Sequence, residues 1–478
     1  MNQETNKRIF KNMLYLNSSA VLAKILGFAT SIILARKLGE TQFGQYIFIF
    51  SFISYFMLLN DLGLNILTAR DVARNHNDAL KYLNEISGFK LILVFISFCL
   101  FICLIFVLPY SNILRIALIF GFLYVGIKSF GIFFGSFLSA FERLDINAVL
   151  DFIFTLLVLI FILIISQLKM LNLVNVMAVY TLAIFIWAAA TLIVLFNKFI
   201  PFKIFFRPNF SFVKQSYVFA LGSIAGTIML QTDTVILKFM SGDAATGYYG
   251  IGLTFVVGLM FLGLSFCSAM YPVFSRLFKE AKEEIRSYFE KSIETLFKIT
   301  MPFAVGGSIL AGKIILLFYG VNYLPAKTSF EILMLASLFL ALGNFMAAFL
   351  QAVNQQKNVV KINVIGIAVN LVLSGVLIYY FSYAGAAIAR AGTFIYLVVL
   401  YWFVIRKELQ GVKILPHLLK PLIAGFVMAV ALFVLYKLNV IVLLFIGITV
   451  YITVLVAIKG FSKEEFSFVK SCFKKQCI

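Results

Sequence analysis

Charge is scarce in this sequence. Only 13% of its 478 residues are Asp, Glu, Lys or Arg, against about 25% in an ordinary soluble domain. Acidic residues are the scarcest, 20 against 40 basic ones. With 62% hydrophobic residues, this excludes a soluble enzyme built around one buried core, and it excludes a disordered chain. Histidine is almost missing, represented by His76 and His417 alone. The five cysteines, Cys99, Cys103, Cys267, Cys472 and Cys477, form no C-x-x-C pair and no His/Cys cluster. A structural zinc site or a disulfide framework is therefore not expected. There is no G-x-x-x-x-G-K-[ST] phosphate loop, no Ser/His/Asp arrangement and no His/Glu metal spacing. No catalytic residue, metal ligand or cofactor is expected, and transport driven by ATP hydrolysis within this chain is excluded. The formal charge of +20 would suggest nucleic acid in a soluble protein. Here most of the excess lies in short loops between apolar runs, so no nucleic-acid partner is expected.

Long apolar runs are what the sequence has in abundance. Mean hydropathy is +1.03, and stretches of about 20 apolar residues recur along almost the whole chain. This pattern reads as an all-α membrane protein. It excludes a membrane β-barrel, whose strands are alternating segments of about 10 residues. Fourteen spans are expected: 12–34, 43–67, 86–108, 113–138, 148–166, 172–196, 215–237, 247–271, 293–318, 327–351, 362–380, 384–404, 418–437 and 440–458. Pro109, Pro201, Pro208, Pro272, Pro325 and Pro416 fall at or near the breaks. Lys24 in the middle of the first run argues against a cleaved signal peptide, so that run is expected to be a retained helix. If the N-terminus is cytoplasmic, and basic residues within the first or last three positions of a span are counted with the adjoining loop, 27 of the 40 Lys and Arg fall inside and 7 outside. That bias predicts that both termini are cytoplasmic. Outside loops are short, which leaves no room for an extracellular catalytic or receptor domain. The segment 272–292 has apolar residues at helical spacing with basic residues between them, and is expected to lie as an interfacial helix on the inner leaflet. The tail 461–478 is a weaker version of the same pattern.

The chain is self-similar at an offset of 203. SIILARKLGETQFGQY (31–46) aligns without gaps to TVILKFMSGDAATGYY (234–249), with Ile33/Ile236, Leu34/Leu237, Gly39/Gly242, Gly44/Gly247 and Tyr46/Tyr249 identical. FLSA (137–140) and FLQA (349–352) form a weaker match. Six spans separate the copies, an even number, so both have the same orientation in the membrane. That is a parallel repeat, an arrangement in which transporters commonly place the substrate path between the halves. The expected domains are an N-terminal six-helix lobe (1–200), a C-terminal six-helix lobe (201–407) and two further helices with a basic tail (408–478).

A few polar residues sit at bilayer depth. Asn17, Ala20, Lys24, Gly27 and Ser31 form one stripe on span 1. Lys24 is roughly 15 Å from either interface, where a charge costs about 2.5–3.5 kcal/mol. It is expected to face water, a partner or an anionic ligand. Gly121, Tyr124, Lys128, Gly131 and Gly135 share a face of span 4, and Arg390 occupies a similar stripe in span 12. Lys90 and Lys313 are close enough to span ends to snorkel. Asp61 and Asp233 are read as pairing with the lysines, stabilising loop-side backbone, or carrying coupling protons or Na+. The excess of cations inside the membrane favours an anionic substrate.

Several stretches then match a known pattern. LARKLGETQFGQYIF (34–48) and LLNDLGLNILTARDVAR (58–74) resemble the opening helices of the polysaccharide flippases of the Wzx type, which serve O-antigen, capsule and exopolysaccharide synthesis. QTDTVILKFMSGDAATGYYGIG (231–252), LLFYGVNYLPAKTSFEIL (316–333) and YAGAAIA (383–389) resemble that family's second half. The resemblance covers spans 1 to 12. It implies a MATE-like fold of the MOP superfamily, with two six-helix lobes that give alternating access. It also implies translocation of a lipid-linked oligosaccharide, usually on undecaprenyl pyrophosphate, from the inner to the outer leaflet of a prokaryotic cell membrane. The partners implied are that substrate, membrane lipids, and the polymerase and glycosyltransferases of the same pathway. Family members generally carry a cationic cavity, a role that Lys24, Lys128 and Arg390 fit. From the residues themselves, the cations would hold pyrophosphate, and Asn17, Ser31 and Tyr124 would take sugar hydroxyls. Two alternatives stay open. One is a different cargo on the same fold (peptidoglycan precursor, teichoic acid or a drug cation), and the other is a membrane polysaccharide polymerase.

Overall fold

The computed structural model describes residues 3–201, 205, 209 and 211–460, with 3–18 described by backbone alone. The amphipathic pattern of 461–478 therefore lies outside the described residues. Almost everything described is helical. Among the described residues, nine helices are long and apolar enough to cross a bilayer, and two further bent pairs pass the same test together. Three helical stretches, of 59, 70 and 53 residues, are too long to be single spans. Even the shortest would rise about 80 Å, against roughly 30 Å of hydrocarbon. Each breaks once, at Gly39 (φ 74°), Gly242 (φ 86°) and Ser382 (φ 51°). Counting each side of a break, and each bent pair once, gives fourteen spans among the described residues, as the hydropathy pattern predicts.

In chain order the helices are α1 (3–38), α2 (40–61, continued as Leu64–Arg74), α3 (Ala79–Val107), α4 (Asn112–Ala140), α5 (Leu144–Gln167), α6 (Leu173–Lys198) and α7 (211–241). They continue as α8 (243–280), α9 (Lys282–Ile309, continued as Ala311–Phe318), α10 (Lys327–Ala352), α11 (356–381), α12 (383–408), α13 (Leu415–Val434) and α14 (Val440–Ala457). The breaks at Gly39 and Gly242 are aligned positions of the repeat. Their positive φ values are open to glycine and strained for other residues, so the repeated glycine is what ends one span and starts the next. α2 bends by 43° at Leu62–Gly63, and α9 bends by 78° at Leu310.

The chain divides into two compact units, Met1–Gly247 and Tyr248–Ile478. The seam falls inside the second copy of the repeat. The start of α8 packs onto the start of α2: a Cβ at Gly44 would overlap the Asp243 carbonyl oxygen, and a Cβ at Gly247 would overlap that of Glu40. Glu40 and Asp243 are aligned positions, as are Gly44 and Gly247. The contact is therefore reciprocal, each copy's glycine seated on the other copy's acidic turn.

Unit 1 is built on α2. Phe48, Phe52 and Phe56, one turn apart, are buried against Phe101 and Phe122 of α3 and α4. A second cluster joins Leu64, Leu67 and Val72 to Phe133 and Phe137.

Unit 2 corrects one expectation. Residues 272–292 are not an interfacial helix. They are the end of α8 and the start of α9, broken at Ala281. Their apolar side chains Phe274 and Phe289 stack on Phe345 and Phe349 of α10, with centroids 4.5–5.8 Å apart. The amphipathic pattern was satisfied by a neighbouring helix instead of lipid. The two appended helices are tied to α9 at both ends. Near the start of α13, His417 Nδ1 lies 2.9 Å from Glu294, which also pairs with Lys298 at 3.0 Å, while the Lys413 N–H donates to Glu290 at 2.8 Å. At the other end, the Lys313 ammonium donates to the Leu438 carbonyl at 2.5 Å and lies over the Tyr436 ring.

Candidate functional site

Of the six residues expected to bind substrate, the structure brings two into contact among the described residues. On α4, Lys128 Nζ donates to the Tyr124 hydroxyl at 3.1 Å and stands 5.3 Å from the centre of its ring. The spacing of four residues puts both on one face of the helix. Tyr124 is buried and Lys128 is half-buried. One hydrogen bond uses one of the three ammonium donors, leaving two for a ligand.

Three other rings close around this pair. Phe50 of α2 meets Tyr124 at 5.6 Å and Tyr180 of α6 at 5.0 Å. The hydroxyls of Tyr46 and Tyr180 are hydrogen-bonded at 2.9 Å. Trp187, two turns along α6, lies against Gly131, where a Cβ would overlap its indole. Asp151 of α5 is within electrostatic reach of Lys128 and beside Trp187. Sequence reasoning missed Tyr46, Phe50, Tyr180, Trp187 and Asp151. Asp151 was findable, because it is an ionisable residue inside span 148–166. The rings were not, because nothing in an aromatic-rich sequence marks which ones meet.

The remaining expected residues lie elsewhere. Lys24 is exposed on α1 beside exposed Gly27, whereas Ser31 is buried with no hydrogen-bond partner for its hydroxyl among the described residues. The Asn17 side chain lies outside the described residues. Asp233 on α7 is fully buried. Its neighbour Thr232 shares a hydrogen bond with Tyr55 at 3.0 Å.

Asp61 sits at the bend of α2, where its carboxylate accepts the Asn65 N–H at 3.2 Å and the Lys90 ammonium at 3.2 Å. Lys90 does not snorkel. It is fully buried, also donating to Asn65 Oδ1 at 3.3 Å and lying over Phe133. A counter-charge exposed by the bend drew it inward, where an unpaired ammonium could not stay. Just before the bend, Ser129 donates to the Asn60 carbonyl at 3.3 Å, so α4 as well as α3 braces the break.

Arg390 belongs to unit 2. It is 1% exposed, with its guanidinium 5.8 Å from the centre of the Tyr249 ring. Both α6 and α12 run for 26 residues. Tyr180 and Arg390 are the eighth residue of each, and each meets the repeat's last tyrosine, Tyr46 or Tyr249.

A family model described as "Polysaccharide biosynthesis protein" matches residues 9–278. The chain belongs to that family. A second family model, MatE, matches residues 219–376, which is most of the second repeat. Among solved structures, lipid II flippase MurJ in an inward closed conformation superposes with a TM-score of 0.75, over 92% of this chain and 98% of that one, at 17% identity. This establishes the fold. An uncharacterized membrane protein of Methanocaldococcus jannaschii is 26% identical over 214 residues, 44% of this chain and 42% of the relative. The probable low-salt glycan biosynthesis flippase Agl15 of Haloferax volcanii is 25% identical over 189 residues, 39% of each chain. The matched stretches thus span about two-fifths of these curated relatives. Within the family fold, Lys128 stands over the Tyr124 ring in unit 1, and Arg390 lies beside the repeated tyrosine Tyr249 in unit 2.

Proposed function

We propose that this protein is a flippase that moves a lipid-linked oligosaccharide, on undecaprenyl pyrophosphate, from the inner to the outer leaflet by alternating access. In this reading both termini are cytoplasmic, and the cargo comes from membrane glycosyltransferases and passes to a polymerase. The observation that carries it is a partly buried lysine, Lys128, held within an apolar span by a tyrosine in a chain of this family. A charge there is expensive unless it has work to do. Pyrophosphate would give it charge-assisted hydrogen bonds of about 1.5–3 kcal/mol each. Lys24 and Arg390 are assigned to the same anionic headgroup at other points of the cycle, with Asn17, Ser31 and Tyr124 on sugar hydroxyls. Asp61 and Asp233 are left to ion pairing or coupling.

Deleting the gene and assaying each leaflet tests the reading. Lipid-linked saccharide should accumulate on the inner leaflet and surface glycan should fall. Lys128→Ala should reproduce that defect at normal protein level, with Lys128→Arg milder. Unchanged glycan with no accumulated intermediate would overturn the proposal. A second reading, peptidoglycan precursor as cargo, draws on the likeness to MurJ. It predicts loss of cell-wall integrity on depletion, with the surface glycan spared.

A further inference from the structure

The rings around Lys128 are unevenly buried. Along α2, Phe48, Phe52 and Phe56 face the core and are almost wholly covered. Tyr46 and Phe50, on the neighbouring face, keep part of their surface open, as do Tyr180 and Trp187 on α6 and Lys128 itself. Both sets pack on the same apolar cluster; what that packing leaves unexplained is an ammonium bound to Tyr124 at the edge of rings that keep part of their surface open. Tyr46 and Tyr180 also carry hydroxyls, already oriented by their mutual hydrogen bond. Sites that hold small ligands combine apolar and aromatic walls with a few convergent polar groups, and this is such a combination on one face of unit 1.

We infer that Tyr46, Phe50, Tyr180 and Trp187 form a saccharide platform, which stacks the first sugar of a phosphate-linked glycan while Lys128 holds the adjoining phosphate. A pyranose presents an apolar C–H face, which suits an aromatic ring, and a rim of hydroxyls, which suits the tyrosine oxygens. The charge on Lys128 fixes which end of the ligand lies where. The inference rests on the flippase reading and narrows it. The protein would grip the sugar next to the phosphate, and the rest of the glycan would be free to vary.

The chain has two tryptophans, so a Trp402→Phe background leaves Trp187 as the only indole fluorophore. The purified protein in detergent would be titrated with citronellyl pyrophosphate carrying N,N′-diacetylchitobiose, and with bare citronellyl pyrophosphate. The platform predicts that the glycosylated probe binds at least tenfold more tightly and alone shifts Trp187 emission. Tyr180→Ala and Phe50→Ala should remove most of that advantage and leave the bare probe's affinity within twofold, while Tyr180→Phe should keep most of it. Equal affinity for the two probes would overturn the platform and leave the flippase reading standing. Binding of neither probe would overturn both. The two-probe comparison on the Trp402→Phe chain decides the matter even where an alanine variant fails to fold.

Discussion

The two copies of the repeat share a scaffold and differ in chemistry. Each ends one helix at a left-handed glycine, seats a second glycine on the other copy's acidic turn, and presents a tyrosine two residues after that second glycine. In unit 1 that tyrosine, Tyr46, meets a neutral partner, Tyr180, and the cation comes from a different helix as half-open Lys128. In unit 2 the same helix position is Arg390, and it is buried over Tyr249. A duplicated backbone thus fixes where a functional group stands, while a single side chain decides whether the place is a polar rim or a sealed charge. An accessible cation can exchange partners with a ligand. A buried one must be satisfied within the protein, so its first role is to hold its surroundings.

Substitutions at the matched positions test whether the two copies differ in this way, with thermal unfolding of the purified protein as the measurement. The largest effect is expected at the reciprocal glycines. Gly44→Leu and Gly247→Leu should each lower stability by about 3 kcal/mol, since the added atoms meet backbone that has little room to yield. The double variant should cost less than the sum, because both glycines serve one contact. A large loss at one glycine and none at the other would show that the contact is not reciprocal. Next, Arg390→Leu should cost about 2 kcal/mol through the desolvated cation–π pair, and Lys128→Leu should cost less, because that side chain is only partly buried. Equal losses would erase the distinction between sealed and open cations. The smallest effects separate the two tyrosines. Tyr46→Phe removes a hydroxyl pair and should cost about 1 kcal/mol. Tyr249→Phe keeps a ring under Arg390 and should retain more stability than Tyr249→Leu.

How far the sequence could be read depends on which interactions were local. The spans were legible because a bilayer allows backbone polar groups only in helices, and because each crossing needs a long apolar run. Gly39 and Gly242 were visible as aligned turn residues. Lys128 and Tyr124 were legible as a pair because four residues is one helical turn. Lys90 was misread as snorkelling. Its partner Asp61 is 29 residues away, and only the bend at Leu62–Gly63 brings the two together. Residues 272–292 were misread as an interfacial helix, because an apolar stripe does not say whether lipid or Phe345 and Phe349 will cover it. Asp151 stood visible as an acidic residue inside a span, but its pairing with Lys128 depends on two helices meeting.

The sequence by itself determined that this chain is helical, how many times it crosses, where the repeated turns fall and to which family it belongs. Those properties follow from hydropathy and from backbone freedom at single glycines, which act within one or two turns. Tertiary structure alone decided which charges are sealed and which stay open, and which rings gather around Lys128. Those outcomes depend on faces of separate helices meeting, and the period of one helix carries no information about the neighbour it will find.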